Sequence, residues 1–163
     1  MNTKIENATL EDIKFIEHCF SLGFKEKHFS IKEFAENNNI KNIIQANNPS
    51  MQLFIIKNGT DNTGFAFCKK LDIPKNIFEI NMLYILSNFR RKKIASNFIQ
   101  YYEKYISKNY NNEIFLIVGC NKNNSKNAIE LFEKLEYKIQ KNLKNEKFTF
   151  LTKYLIRIKN AKR

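Results

Sequence analysis

The stretch Tyr84-Ile85-Leu86-Ser87-Asn88-Phe89-Arg90-Arg91-Lys92-Lys93-Ile94-Ala95-Ser96 decides how the chain is read. It opens as the end of an apolar run, FEINMLYIL at 78–86, that has the character of a strand. It closes as the start of a helix whose apolar residues, Ile94/Ala95, Phe98/Ile99, Tyr102 and Ile106, recur on one face. Between the two lie four consecutive cations. Positive side chains at a helix N-terminus oppose the helix dipole and cost a few tenths of a kcal/mol each. A strand feeding a short loop into a helix also exposes backbone N–H groups, beside an effective charge of about +0.5. A bound polyanion would turn that conflict into attraction. The junction therefore reads as a phosphate site, with the Ser96 hydroxyl as a further donor. The plainer alternative is the wet first turn of an amphipathic helix.

Working outward, MQLFIIKN (51–58) and GFAFCKKLD (64–72) read as a β-hairpin, with Gly59 and Gly64 in the connection. EIFLIVGC (113–120) is almost wholly apolar, as expected of a strand buried on both sides. SKNAIELFEKLEYK (125–138) is helical, with Ala128, Leu131, Phe132 and Leu135 on one face. The segment 137–156 reads as two strands across the turn Lys144-Asn145-Glu146. At the other end a short strand in KIENAT leads into a helix that starts near Thr9, with Asp12 three residues on as a capping partner. Ile13, Ile16, Cys19 and Phe20 give that helix its apolar spacing, and a second helix is expected within 30–44. Strand-helix-strand crossovers in the second half imply an α/β architecture around a central sheet.

The totals bound the function. A length of 163 residues fits one domain over 1–163, with 43% apolar residues to build its core. The formal charge of +12 comes from 28 basic and 16 acidic residues, and 24 of the basic ones are lysines. Lysine, asparagine and isoleucine are all abundant, the signature of an AT-rich coding bias. The charge thus attracts anions without choosing among RNA, an acidic peptide and a phosphorylated cofactor. Cys19, Cys68 and Cys120 are scattered without metal-ligand spacing, so buried thiols and no metal are expected. No apolar run approaches the roughly 20 residues of a membrane span, and the N-terminus has no apolar signal core, so a cytoplasmic protein is expected. Phosphate-loop and dinucleotide glycine motifs are missing.

YILSNFRRKKIAS resembles motif A of the GNAT superfamily of acyl-CoA-dependent N-acetyltransferases, which runs strand, (Arg/Gln)-x-x-Gly-x-(Gly/Ala), helix. Arg90 to Ala95 fit it, with Lys93 where the first glycine usually stands. IENATLEDI (5–13) is similar to the family's opening strand and first helix, and TGFAFC (63–68) to its third strand. NSKNAIELFEKLEYK (124–138) is similar to motif B, N-x-x-A-x-x-L-Y-E-K-x-G-F, whose Asn falls on Ser125 with Asn124 adjacent.

The resemblance implies a GNAT fold, a central mixed and splayed β-sheet flanked by about four helices, with acetyl-CoA as co-substrate. It places the coenzyme's pyrophosphate on the main chain of Arg90, Arg91, Lys92, Lys93, Ile94, Ala95 and Ser96, with Asn124 and Ser125 nearby. Tyr84, Ile85 and Leu86 would flank the thioester, a backbone N–H near Ile85 or Leu86 polarising its carbonyl. Lys93 in place of glycine is tolerable there if its φ stays negative. Phe132 stands where a tyrosine often protonates the departing thiolate; either the coenzyme A thiolate leaves unassisted, or Tyr137, Tyr84 or Tyr102 approaches the sulfur in its place. Glu79, eleven residues before Arg90, matches the spacing of a glutamate base in the histone-acetylating branch. Strand alternation would put it on one face with Asn81, Leu83 and Ile85. His18 and His28 titrate in a useful range.

Acceptor identity is open on sequence alone: a small-molecule, peptide or RNA-linked amine, with a homodimer as one arrangement common among relatives. A reading from another class is a basic RNA- or nucleoprotein-interaction module. It rests on the tail RIKNAKR and on Tyr101, Tyr102, Tyr105 and Tyr110 as stacking residues.

Overall fold

A computed structural model describes residues 3–28, 40–71, 76–110, 113–122, 125–143 and 145–155. Its centre is a seven-stranded sheet in the order β1-β2-β3-β4-β5-β7-β6. The strands are β1 Thr3–Asn7, β2 Met51–Asn58, β3 Asp61–Leu71, β4 Asn76–Ile85, β5 Ile114–Asn121, β6 Lys138–Ile139 and β7 Phe148–Leu155. Among the described residues four α-helices accompany them: α1 Ile13–Lys25, α2 Ile40–Ala46, α3 Ile94–Asn109 and α4 Lys126–Lys134. Every neighbouring pair is antiparallel except β4 and β5, which α3 connects in parallel. This is the mixed α/β architecture expected from the strand-helix alternation.

The strands are apolar on both faces because helices cover both. Phe54, Ile56, Ala66 and Cys68 point to one face and pack with Ile94, Phe98, Tyr102 and Ile106 of α3 and Phe132 of α4. Leu53, Ile55, Phe65 and Phe67 point to the other and pack with Ile16, Cys19 and Phe20 of α1 and Ile40 of α2. That second cover does not extend to β5. Ile114, Leu116, Val118 and Cys120 are buried under α3 and α4, while Phe115, Ile117, Gly119 and Asn121 remain half-exposed. The expectation that 113–120 is a strand buried on both sides therefore fails for β5; β2 and β3 are the strands covered on both faces.

The opening helix starts as its sequence says. Thr9 donates its N–H and its hydroxyl to the Asp12 carboxylate at 2.8 and 2.9 Å, and a 3₁₀ turn, Leu10–Asp12, leads into α1. The second helix expected within 30–44 falls partly outside the described residues, and its described part runs on to Ala46. Gly59, at φ +65°, makes the β2–β3 turn. Gly64, placed in that connection from sequence, lies inside β3 instead. A Cβ there would meet the Tyr84 carbonyl oxygen at 2.2 Å, so glycine permits a close approach of β3 to the end of β4. The two C-terminal strands exist, but β6 has only two residues.

Two irregularities open the sheet at one end. The β3–β4 register runs Phe67↔Met82 and then Cys68↔Ile80, so Asn81 is the extra residue of a β-bulge. Beyond it the faces of β4 exchange: Phe78 and Ile80 pack toward α3, and Met82 and Tyr84 pack toward α1. The β4–β5 pairing also stops at Ile80↔Val118, although both strands run on, to Ile85 and Asn121. The sheet therefore splays at the carboxyl ends of its two parallel strands.

Candidate active site

The splay opens into a cleft of about 600 Å³. β4 lines it from Ile80 to Ile85 and β5 from Val118 to Asn121; the start of α3 and one side of α4 close it. The carboxyl ends of parallel strands are where open α/β sheets bind ligands, because helix N-termini converge there.

At the α3 end the chain turns sharply without glycine. Arg91 and Lys93 have φ of +63° and +62°, and Arg90 between the strand and them is extended at φ −67°, ψ 161°. The left-handed region costs a side-chain-bearing residue about 1–2 kcal/mol. Such outliers gather at functional loops. The negative φ expected at Lys93 is thus corrected. Left-handed residues alternating with right-handed ones are the backbone pattern in which successive N–H groups can turn to one side and make an anion-binding concavity. The N–H groups of Ile94, Ala95 and Ser96 belong to the first turn, where no intrahelical acceptor exists.

The side chains divide the four cations. Arg91 and Lys93 line the cleft, and Arg91 Nη2 donates to Asn127 Oδ1 of α4 at 3.1 Å. Lys92 stands outside the cleft wall with its Nζ 5.2 Å from the centre of the Phe89 ring. Arg90 also lines the cleft, but its guanidinium is committed toward α1: its Nε donates to the Ile85 carbonyl at 2.8 Å and its Nη2 to Glu26 Oε2 at 2.6 Å. Ser96 also departs from expectation, since its hydroxyl donates to the Lys93 carbonyl at 2.7 Å instead of facing outward. Ser125 lines the cleft at the start of α4, whereas Asn124 lies outside the described residues.

On β4 the candidates separate cleanly. The Leu86 N–H donates to the Thr63 carbonyl at 2.9 Å, and Leu86 packs on the α1 side, which removes it as a thioester contact. By strand alternation the N–H groups of Leu83 and Ile85 point the opposite way, into the splay. Tyr84 lines the cleft; burial and then the Glu26 charge push its phenol up to about 12. Glu79 lies before the bulge, on the α1 face, so it does not share a face with Leu83 and Ile85 as simple alternation predicts. It touches the cleft through Asn81, whose Nδ2 donates to Glu79 Oε2 at 3.2 Å.

The substitutes for the missing tyrosine are placed unequally. Phe132 lines the cleft, and Tyr137 packs behind it, ring to ring at 5.0 Å, beside Glu103 and under Lys153 Nζ at 5.6 Å. Burial and then the Glu103 charge push the Tyr137 phenol far up, and it does not reach the cleft wall. Tyr102 is core, packed against Phe54 and Phe98. Tyr101 and Tyr105 lean on the same Phe54 ring, and Gln52 holds the Tyr105 hydroxyl at 2.6 Å, so these tyrosines form no open stacking platform. The tail RIKNAKR lies outside the described residues.

Sequence reading missed Glu26. It ends α1 and comes within hydrogen-bond reach of Arg90 and of His28 Nε2, the latter at 3.2 Å. Burial alone would raise its carboxyl, but the Arg90 bond and charge, with Tyr84 and His28, hold it below the usual range. The only local signal is an acid and a histidine two residues apart at a helix end. Cys120, also in the cleft, stays a thiol because burial pushes it up to about 11. Among the described residues no cluster of His, Cys, Asp and Glu could hold a metal, and no helix is long and apolar enough to cross a membrane.

Residues 14–137 match the family described as Acetyltransferase (GNAT) family. The chain belongs to the GNAT acetyltransferases. Solved structures share the fold over nearly the whole GNAT domain. PaiA N-acetyltransferase from Thermoplasma acidophilum, in complex with coenzyme A, has TM-score 0.69 at 18% identity, covering 95% of this chain and 100% of its own. An N-acetyltransferase from Staphylococcus aureus Mu50 has TM-score 0.69 at 20% identity, over 94% and 98%. The ribosomal-protein-S18-alanine N-acetyltransferase from Escherichia coli has TM-score 0.62 at 14% identity, over 94% and 93%. No curated protein sequence matches the chain.

Proposed function

We propose that this GNAT protein transfers an acetyl group from acetyl-CoA to a primary amine within one ternary complex. One observation carries the reading: a single cleft joins a strained, amide-lined loop at 90–96 to a splayed strand edge where the Ile85 N–H faces inward. The loop suits a diphosphate, since its first-turn N–H groups and the Arg91 and Lys93 charges converge there. The apolar wall of Val118, Ala128, Leu131 and Phe132 suits a slender, mostly apolar arm. Coenzyme A in the Thermoplasma acidophilum structure of the same fold is consistent with both.

Bound acetyl-CoA supplies an activated acyl thioester. The chain's part is to hold the phosphates with main-chain amides, to orient the acyl group along β4, and to polarise its carbonyl with the Ile85 N–H. The acceptor class is an amine on a small molecule, a peptide or an RNA-linked group.

Thermal unfolding with acetyl-CoA, free CoA and ATP added separately tests this. Ligand at about 100 times its Kd stabilises by roughly 2.7 kcal/mol, a rise of order 5–10 °C for a domain of this size. Both CoA species should produce it and ATP should not; no CoA shift overturns the reading. Reversing Arg91 and Lys93 together to Glu should weaken acetyl-CoA binding on the order of 100-fold, about 1.4 kcal/mol per reversed charge.

A further inference from the structure

We infer that His28 is the residue that takes the proton from the acceptor amine, with Glu26 and Arg90 as the residues that position it. This rests on the acetyl-transfer reading and adds the group that makes the amine nucleophilic.

The geometry begins at the end of α1. Lys27 adopts φ +59°, its N–H donates to the Phe24 carbonyl at 3.0 Å, and the His28 N–H donates to the Gly23 carbonyl at 2.8 Å. This pair of bonds is a Schellman motif, which normally has glycine at the left-handed position. The chain holds a lysine there, and the result is a fixed backbone for His28 at the cleft wall. His28 Nε2 then lies 3.2 Å from Glu26 Oε2, and its ring centre lies 6.4 Å from that of Tyr84. Glu26 is tied to Arg90, and Arg90 to the carbonyl of Ile85. A chain of three contacts therefore fixes the imidazole relative to the same residue whose amide faces the splay.

The chemistry of the neighbours leaves His28 as the proton acceptor. The groups that face it are Glu26 from the end of α1, Arg90 from the loop after β4, and Tyr84 from β4. Burial, then the Arg90 charge, lower its pKa against the opposing pull of Glu26, so the ring is neutral near pH 7. A neutral ring with Nε2–H donating to Glu26 leaves the Nδ1 lone pair available. The remaining titratable cleft groups do not compete. Arg91, Lys93 and Lys134 are cations, Cys120 and Tyr84 stay protonated, Glu130 stands exposed on α4, across the sheet from α1, and Glu79 stands off the cleft wall behind Asn81, from whose Nδ2 it accepts.

Protons and electron pairs balance across the step. His28 Nδ1 takes one proton from the acceptor ammonium, and the freed nitrogen pair forms the N–C bond to the acetyl carbonyl carbon. The C–S bond breaks with its electron pair on sulfur, which takes the second nitrogen proton. The imidazolium, opposite the Glu26 carboxylate, returns its proton to solvent.

The test uses the full chain with n-butylamine, a diamine and a peptide α-amine as acceptors, alongside acetyl-CoA binding measured separately. His28→Gln should lower kcat by about 100-fold while the acetyl-CoA Kd stays within twofold. It should also abolish the low-pH limb of the kcat/KM profile, and the His18→Gln control should keep that limb. Glu26→Gln should move the limb to lower pH, because it removes the carboxylate that raises the His28 pKa, an outcome a purely structural role would not give. NMR titration of the two histidine rings should find His28 titrating below its ordinary value, and lower still in Glu26→Gln. Equal activity and an unchanged pH profile in His28→Gln overturn this inference and leave acetyl transfer standing. A wild type that binds acetyl-CoA and acetylates none of the amines overturns both.

Discussion

The two ends of the cleft are built by different means. The end at α3 is local: a strand, four cations and a helix succeed one another in the chain, and in the proposed reading the main chain between 90 and 96 holds the phosphates. The end at α1 is assembled from a distance, since Glu26 meets Arg90 64 residues away and the bond depends on side chains alone. The lesson is that Arg90, the first cation of the basic run, belongs to the second end. Its charge is already neutralised by Glu26, so the cations this run leaves to face the cleft are Arg91 and Lys93.

The largest perturbation should strike the rim both ends share. Gly64→Val forces a Cβ against the Tyr84 carbonyl and must part β3 from the residues that carry the cluster and the splayed amide. A loss of at least about 3 kcal/mol is expected, read as a drop in Tm, with both acetyl-CoA affinity and turnover impaired. A mild effect would mean that the end of β4 is not held by β3.

A finer test separates the ends. Lys93→Gly relieves the left-handed strain while keeping the turn, so stability should rise by up to about 1 kcal/mol, with acetyl-CoA affinity falling only by the lost charge. Lys93→Val, β-branched at the same φ, should lose stability instead. Urea unfolding of the pair distinguishes a strained main-chain cradle from a loop held by its charges.

The smallest effect belongs to the α1 end and is read through pH. The folded pKa of His28 lies below its ordinary value, so just under about pH 6.5 the unfolded chain binds more protons than the folded one. Stability is therefore lost as pH falls through that window. Glu26 is also held low, so its contribution is present above the ordinary carboxylate range and lost as pH falls through its lowered value. Acid should destabilise in two stages, and His28→Gln should remove the first stage only. A single stage in the wild type would break the assignment.

The legibility of the sequence divides along the same line. The run from Tyr84 to Ser96 displays its strand, loop and helix in order, so the fold and the course of the chain at the α3 end could be read from local pattern. The bulge at Asn81 could not: one extra residue leaves no mark in composition, yet it separates Glu79 from Leu83 and Ile85. The left-handed Lys93 was hidden for a related reason, because tertiary demand overrode the preference for glycine. Glu26 carried no motif, and its meaning lies in a contact made only when α1 packs against β4. Tyr137 looked available in the sequence and is walled off by Phe132, a fact of packing order.

The short parallel seam from Asn76↔Ile114 to Ile80↔Val118 has a kinetic consequence. It joins a first half, β1, β2, β3 and β4, whose neighbouring strands are consecutive in the chain, to a second half of β5, β7 and β6. During synthesis the first half is complete before the second exists, and the seam closes across the whole of α3, a non-local and hence slow step. A ligand that touches both the 90–96 loop and β5 recognises only the joined protein. Its expected signature is a longer lifetime of the native state with little change in the rate of reaching it, a latch fastened after the door has shut.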